Sequence, residues 1–150
     1  MRKLVLLAVL VLASCTARSE GEDMDDMDTG ITDWSAQLAP QAGTDIRGTA
    51  NVQTVVVEGF AGTTAAAVSI AGADVGARHP WHVHSGSCAT GGPIMGPAAE
   101  YPVLLVRADG RASASANLAI GLDDNANYHI NVHRSPSDLG TIVSCGNLID

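Results

Sequence analysis

The chain has 150 residues, a formal net charge of −8 and only 3% aromatic residues. A length of this order supports one domain with a single core. The five arginines after Trp34 form no basic patch with interleaved aromatic residues, so nucleic acid is excluded as an expected partner.

The N-terminus has the features of a secretory signal peptide, which we predict over residues 1–14. A basic start, Met1-Arg2-Lys3, precedes an apolar run over residues 4–13 that is too short to span a bilayer as a helix. The run ends in Leu12-Ala13-Ser14-Cys15, which resembles the lipobox of bacterial lipoproteins. This resemblance implies lipid on Cys15, a membrane partner and a place in the bacterial cell envelope, facing the periplasm or on the outer membrane. The alternative is an ordinary secretory signal followed by a chance cysteine.

An acidic segment follows over residues 15–33. Its composition, with seven acids and one base after Cys15, predicts a disordered tether. The Met and Asp side chains of residues 24–28 also suggest metal capture, but these two ligand types suit different metals. A single domain is predicted over residues 34–150. If Cys15 carries lipid, Cys88 and Cys145 are the pair available for an intrachain disulfide in an oxidising compartment.

The domain shows short β-like runs and no long helical period. Gly, Pro, Asp and Asn separate the runs, with a hairpin turn at 108–111, a second turn at 123–127 and a loop at 135–140. We predict strands near residues 33–39, 47–57, 63–70, 80–84, 103–107, 112–120, 128–133 and 141–148. This pattern is typical of an all-β antiparallel sandwich or flattened barrel.

All five histidines lie in or next to two of these runs. His79, His82 and His84 belong to the first run, and His129 and His133 belong to the second. Alternate side chains share a face of a strand, so His82 and His84 lie opposite Trp81, and His133 lies opposite Val132. We expect the aliphatic and aromatic faces to be buried and the histidine faces to be exposed. If the two strands are neighbours, three imidazoles can form a site for copper, zinc, iron or nickel. Histidines on a sheet surface without a metal are the alternative.

Four motifs resemble those of copper/zinc superoxide dismutases. Residues 79–84 are similar to H-G-F-H-V-H, residues 91–97 to A-G-P-H-F-N-P, residues 132–140 to V-H-x-x-x-D-D-L-G, and Cys145-Gly146 to C-G. The motifs lie in the family's order and cover residues 79–148. The resemblance implies an eight-stranded Greek-key β-sandwich of the superoxide dismutase type. It also implies copper ligands at His82, His84 and His133, a structural hydrogen-bonding role for His79, and a disulfide between Cys88 and Cys145.

The chain departs from this family at two important positions. Ile94 stands where the family has its copper–zinc bridging histidine, and no further cluster of His or Asp follows before Tyr101, so we expect copper without a zinc site. Ile142 stands where the family has an anion-guiding arginine. Arg134, beside a predicted ligand, is either an attractor of anions or a solvated surface residue. Superoxide dismutation needs an open copper position and a positive approach, and only the first is evident here.

Residues 92–94, Gly-Pro-Ile, and 131–133, Asn-Val-His, also resemble CHRD-type domains, which are secreted β-sandwiches not generally known as enzymes. The sequence therefore indicates an envelope-anchored, copper-binding lipoprotein that dismutates superoxide at a three-histidine site. The alternatives are a copper-binding or copper-sequestering lipoprotein without turnover, and a metal-free interaction module of CHRD type.

Two further residues have two interpretations each. His129 shares the face of His133 but lies about 13 Å from it along a strand, too far to bind the same ion. We expect a surface or rim histidine, with a role in supporting a ligand as the alternative. Met95 is expected to pack on the barrel, with a thioether ligand to Cu(I) as the alternative.

Overall fold

The computed structural model describes residues 29–150, and over this range the chain is all-β. These residues contain one short 3-10 turn, Ala98–Glu100, and no α-helix. The strands are β1 Thr29–Pro40, β2 Arg47–Val57, β3 Thr63–Ala71, β4 Arg78–His79, β5 Trp81–Ser85, β6 Leu104–Leu105, β7 Arg111–Leu118, β8 Tyr128–Ser135 and β9 Asp138–Asn147.

Seven of these strands form one antiparallel sheet in the order β5-β8-β9-β1-β2-β3-β7, and β4 pairs separately with β6. The sheet curls into a half-barrel. The two strands that carry most of the histidines, β5 and β8, are hydrogen-bonded neighbours, with Trp81 opposite Val132 and His84 opposite His129. The two strands are therefore neighbours, which is the condition for their histidines to form one site.

Much of the core is built by alternation. In the middle of β2 and along β3 every second residue is buried, which is the pattern expected of strands with one face in the core, whereas β5 and most of β8 are buried on both faces. Trp81 is completely buried, its indole Nε1 donates to Pro102 O at 2.8 Å, and its ring meets Tyr101 edge-on with centroids 5.2 Å apart. This packing anchors β5 against the segment that precedes β6.

Several predicted boundaries are wrong for identifiable reasons. β1 begins at Thr29, because its first residues pair with the end of β2, so the last part of the predicted tether is strand. The predicted loop at 135–140 is a tight hairpin in which Ser135 pairs with Asp138. The predicted strand at 103–107 pairs only at Leu104–Leu105, where it meets β4, and β4 itself was not predicted because two residues carry no period.

Other sequence predictions lie outside the described residues. These are the signal peptide, the lipid attachment at Cys15, the Met and Asp motif at 24–28 and most of the acidic tether. Among residues 29–150, no helix has the length and apolar character needed to cross a membrane.

Candidate metal centre

Three histidines from the two neighbouring strands converge on one point. His82 and His84 are two residues apart and therefore lie on the same face of β5, and His133 reaches this face from β8. His133 lies beside an irregularity in the pairing of β8 with β9. One ring nitrogen of each lies within 4.8 Å of the corresponding nitrogens of the other two. The ring centroids are 4.9 Å apart for His82 and His133, and 5.8 Å apart for each of the other two pairs.

The prediction that these histidines are exposed is wrong. His82 and His133 are each 5% exposed and His84 is 8% exposed. Residues 86–101, which we call the covering loop, lie along β5: Ser85 N donates to Pro93 O, and Met95 N donates to Val83 O at 2.9 Å. Strand alternation assigns side chains to a face, but it does not say whether a loop folds over that face.

A disulfide and a side-chain hydrogen bond fasten the covering loop to β9. The Cys88–Cys145 disulfide is formed, with Cα atoms 6.0 Å apart, inside the usual range for such bonds. Beside it, Cys88 N donates to Asn147 Oδ1 at 2.8 Å. The loop is thereby held to the strands on both sides of β8, with the histidines beneath it.

Backbone carbonyls fix the protonation of two of the three imidazoles. His84 Nδ1 lies 2.8 Å from Gly92 O, and His133 Nδ1 lies 2.7 Å from Leu139 O. A carbonyl only accepts, so both Nδ1 atoms carry the proton and both Nε2 atoms keep a free lone pair. His82 Nδ1 then donates to His133 Nε2, at 2.9 Å. The metal-free site thus holds one proton between the two nitrogens that are closest together.

His79 supports the site from β4 without joining the donor set. Its Nδ1 donates to His133 O at 2.9 Å, which ties the short strand β4 to the backbone of a predicted ligand. Its Nε2 is buried from solvent and has no hydrogen-bond partner. The family resemblance implied a structural hydrogen-bonding role for His79, and that role stays a prediction.

Burial keeps the cluster neutral. Desolvation, followed by the charges that His133 and His84 would carry, lowers the pKa of His82 from 6.5 to about 4. Desolvation also lowers the pKa of His84 and of His133, and in each case the hydrogen bond to a backbone carbonyl partly opposes the shift. At neutral pH each imidazole is therefore neutral and keeps one lone pair, and His82 offers its Nδ1 to a metal ion once its proton moves to Nε2.

The donor geometry fits a metal ion. Two nitrogens each about 2.0–2.1 Å from a metal lie about 2.9 Å apart at a right angle and about 3.5 Å apart at 120°. The distance of 2.9 Å between His82 Nδ1 and His133 Nε2 is at the short end of this range. The donor atoms of the three histidines are at most 4.8 Å apart, so a small movement of the rings towards one another is enough to bind one ion. His84 Nε2 is a buried lone pair with no hydrogen-bond partner, and a bound ion would satisfy it. Three imidazoles also leave a coordination position free.

Tyr101 is part of the site, although nothing in the sequence indicated it. Its ring meets His82 edge-on at 5.1 Å, and its hydroxyl donates to Met95 O at 2.6 Å. Burial is the main cause that raises the pKa of Tyr101 to about 12, so the phenol stays protonated. Met95 packs against the core, as predicted. Tyr101 thus connects a predicted ligand to the covering loop.

His129 is fully buried, so the prediction of a surface or rim histidine is wrong. It lies opposite His84 in the β5–β8 pairing, and the two rings stack with centroids 5.3 Å apart. Neither ring nitrogen has a hydrogen-bond partner of ordinary geometry. Desolvation lowers its pKa, and the backbone of Gly86 partly opposes this. His129 is not in the donor set, as its distance along the strand implied.

Arg134 lies on the opposite face of β8 from its neighbour His133, because side chains alternate. It is exposed, and its Nε lies 3.7 Å from Asp138 Oδ2 across the hairpin.

No protein-family model matches the chain, and a search of curated proteins finds no significant match. The case for a function therefore depends on the residues of the site.

Proposed function

We propose that the domain is a copper-binding protein whose ligands are His82, His84 and His133. The observation that carries the proposal is the convergence of three buried imidazoles whose donor atoms lie within 4.8 Å of one another. Imidazole nitrogens suit several transition metals, and among the divalent first-row ions a given site binds Cu²⁺ most tightly. The motif resemblance of residues 79–148 to copper/zinc superoxide dismutases, with Ile94 in place of the bridging histidine, supports copper over zinc.

Metal analysis of the exported protein tests this proposal. The full chain should carry about one copper per molecule after export, whereas His133→Ala should carry little, because the variant loses one ligand and the partner of His82. His129→Leu is the matched control, since it removes a buried histidine from the same face of β8 that lies outside the donor set. Thiol titration checks that the Cys88–Cys145 disulfide has formed in each variant. Equal copper in wild type and His133→Ala would contradict the assignment.

Superoxide dismutation is the second candidate, because three protein ligands leave a position free for an exogenous ligand. His82, His84 and His133 would hold the copper, which would supply the one-electron redox chemistry that dismutation needs. The protein's residues hold the ligands neutral and shield them from bulk water. Against rapid turnover, the one cation beside a ligand, Arg134, lies on the other face and pairs with Asp138.

A dismutase assay on the copper-loaded protein separates turnover from binding alone. Superoxide removal should be normalised to bound copper and compared with His133→Ala and with free copper held by a chelator. Activity that follows bound copper would support the enzyme. Tight copper binding without activity would instead support a sequestering protein. Absence of copper, together with stability unaffected by a chelator, would favour the metal-free CHRD-type module.

We also propose that the chain is a lipoprotein of the bacterial cell envelope, anchored through Cys15. The support is the apolar run of residues 4–13 and the lipobox-like residues 12–15. Metabolic labelling with a radioactive fatty acid should mark the wild-type chain. Cys15→Ala should lose the label and move the protein from the membrane fraction to the soluble fraction. Release of unlabelled wild-type protein would support the ordinary secretory signal.

A further inference from the structure

Asn131 stands at the centre of the histidine face. It lies between His129 and His133 on the same side of β8, about 6–7 Å from each along the strand. Its cross-strand partners are His82 on β5 and Cys145 on β9. Partners directly opposite each other in an antiparallel pair have Cβ atoms about 4.5–5.5 Å apart. The amide is therefore next to two of the three proposed ligands.

The amide of Asn131 is uncommitted and reachable. Its side chain makes no hydrogen bond to any residue in 29–150, and its amide atoms are not among those buried from solvent without a partner. The residue as a whole is 9% exposed, so its contact with solvent is small. A small molecule that reaches this face can meet the amide.

Most other polar groups of this face are occupied or closed off. The Nδ1 protons of His84 and His133 go to backbone carbonyls, and the proton on His82 Nδ1 goes to His133 Nε2 in the metal-free site. His129 still has free nitrogens, but they are buried from solvent. Among the described residues of this face, the Asn131 amide and His82 Nε2 are the uncommitted polar groups that an incoming ligand can reach, and the amide keeps its protons whichever nitrogen of His82 binds the ion.

We propose that the side-chain amide of Asn131 donates a hydrogen bond to a small anion bound at the free position of the metal site. This inference depends on the proposed copper function and adds to it a determinant of ligand binding. The amide supplies hydrogen-bond donors at a site whose neighbouring arginine faces away, so it favours small anions without a cationic approach. Its Nδ2 acts as the donor, and its Oδ1 is not a ligand.

Azide titration of the copper-loaded protein tests the inference. Azide is a small anion whose coordination to Cu(II) produces a charge-transfer absorption band, so its affinity is measured without any turnover. The full mature chain is used, with Asn131→Leu as the test variant, because leucine has a similar volume and no polar atoms. We expect azide affinity to fall at least about tenfold, since hydrogen bonds to charged groups contribute about 1.5–3 kcal/mol. Copper affinity, measured by chelator competition, should stay within about twofold of wild type because the three histidines remain.

Two controls accompany this titration. Asn51→Leu replaces an exposed asparagine on the outer face of β2 and should change neither affinity. Asn131→Asp keeps the side-chain shape and replaces the donor with a negative acceptor, so it should weaken azide binding at least as much as leucine does. The aspartate variant also serves if the leucine variant does not fold.

The outcomes separate this inference from the proposed function. Unchanged azide affinity in the folded Asn131 variants would overturn it. A fall in copper affinity in Asn131→Leu with azide affinity unchanged would also overturn it, because the amide would then act as a ligand through Oδ1. If the wild-type chain binds no copper, the copper function fails and this inference fails with it. Weaker azide binding with intact copper binding is the result that supports it.

Discussion

Acidification of the metal-free protein should destabilise it well above the pH at which carboxylates protonate. Four buried imidazoles have lowered pKa values: His82, His84, His129 and His133. The unfolded chain binds protons near pH 6.5, whereas the folded chain does not until the pH falls much further. Because the unfolded state then carries more protons, the free energy of unfolding rises with pH in this window and falls on acidification.

The magnitude can be worked out from His82. Its pKa of about 4 in the folded state, against 6.5, means that it binds almost no proton above pH 5 when folded. Integration from pH 7 to pH 5 then gives a loss of about 2 kcal/mol for this residue alone. The other three imidazoles act in the same direction. A domain of this size is commonly stable by about 5–15 kcal/mol, so the loss from His82 alone is a measurable fraction of the total.

Urea unfolding between pH 7 and pH 5, in the presence of a chelator, measures this effect. The fluorescence of the two buried tryptophans, Trp34 and Trp81, reports the transition. The window stays above the ordinary pKa values of carboxyl groups, which limits their contribution. His82→Gln should retain more of its stability at pH 5, relative to pH 7, than wild type does. A free energy of unfolding that is flat or rises towards pH 5 would refute the picture of neutral, desolvated imidazoles.

Three further predictions concern the residues around the cluster. Replacing Cys88 and Cys145 together with serine should lower the free energy of unfolding by about 4 kcal/mol, because the disulfide spans 57 residues of sequence. His129→Leu should raise the stability of the metal-free protein by about 1–3 kcal/mol, since it removes two buried nitrogens that make no hydrogen bond of ordinary geometry, although the backbone of Gly86 interacts with the ring. Gly92→Ala should weaken copper binding by about 10–100-fold, because an added Cβ would lie 2.0 Å from Ser85 O and would displace the carbonyl that orients His84.

Each of these predictions has a result that would contradict it. For the cysteine pair, the contradicting result is an unfolding midpoint in urea that does not change when the disulfide is lost. For His129→Leu, it is a loss of stability, which would mean that the imidazole has a partner. For Gly92→Ala, the control is Gly140→Ala, where an added Cβ meets only ordinary contacts. Equal copper affinity in both glycine variants would remove the role given to the Gly92 carbonyl.

Local patterns predicted most of the strands well because strand periodicity depends on near neighbours in sequence. The alternation of β2 and β3 is visible in the sequence, and both strands lie within a residue of their predicted limits. His82, His84 and His133 form one cluster because β5 and β8 are neighbours, which the family resemblance implied and alternation alone left as a condition. The motif resemblance also gave the cysteine pairing.

Features that depend on long-range packing were not predictable in this way. The covering loop, residues 86–101, has the Gly and Pro content of any surface loop, and nothing local shows that it lies over the histidine face. Tyr101 meets His82 only because this loop returns along β5. Likewise, β4 consists of two residues and exists because β6 pairs with it.

His129 shows how a correct distance argument can accompany a wrong prediction of burial. Spacing along β8 correctly separated it from His133, but position on a strand says nothing about what covers that strand. The loop that hides the proposed ligands also hides His129, because the disulfide and Asn147 hold it to β9 across β8. Burial lowers the imidazole pKa values, and it also leaves the nitrogens of His129 without partners. The same cover therefore prepares the site for a metal and destabilises the metal-free protein, and bound copper would restore stability by an amount that grows with the logarithm of its affinity.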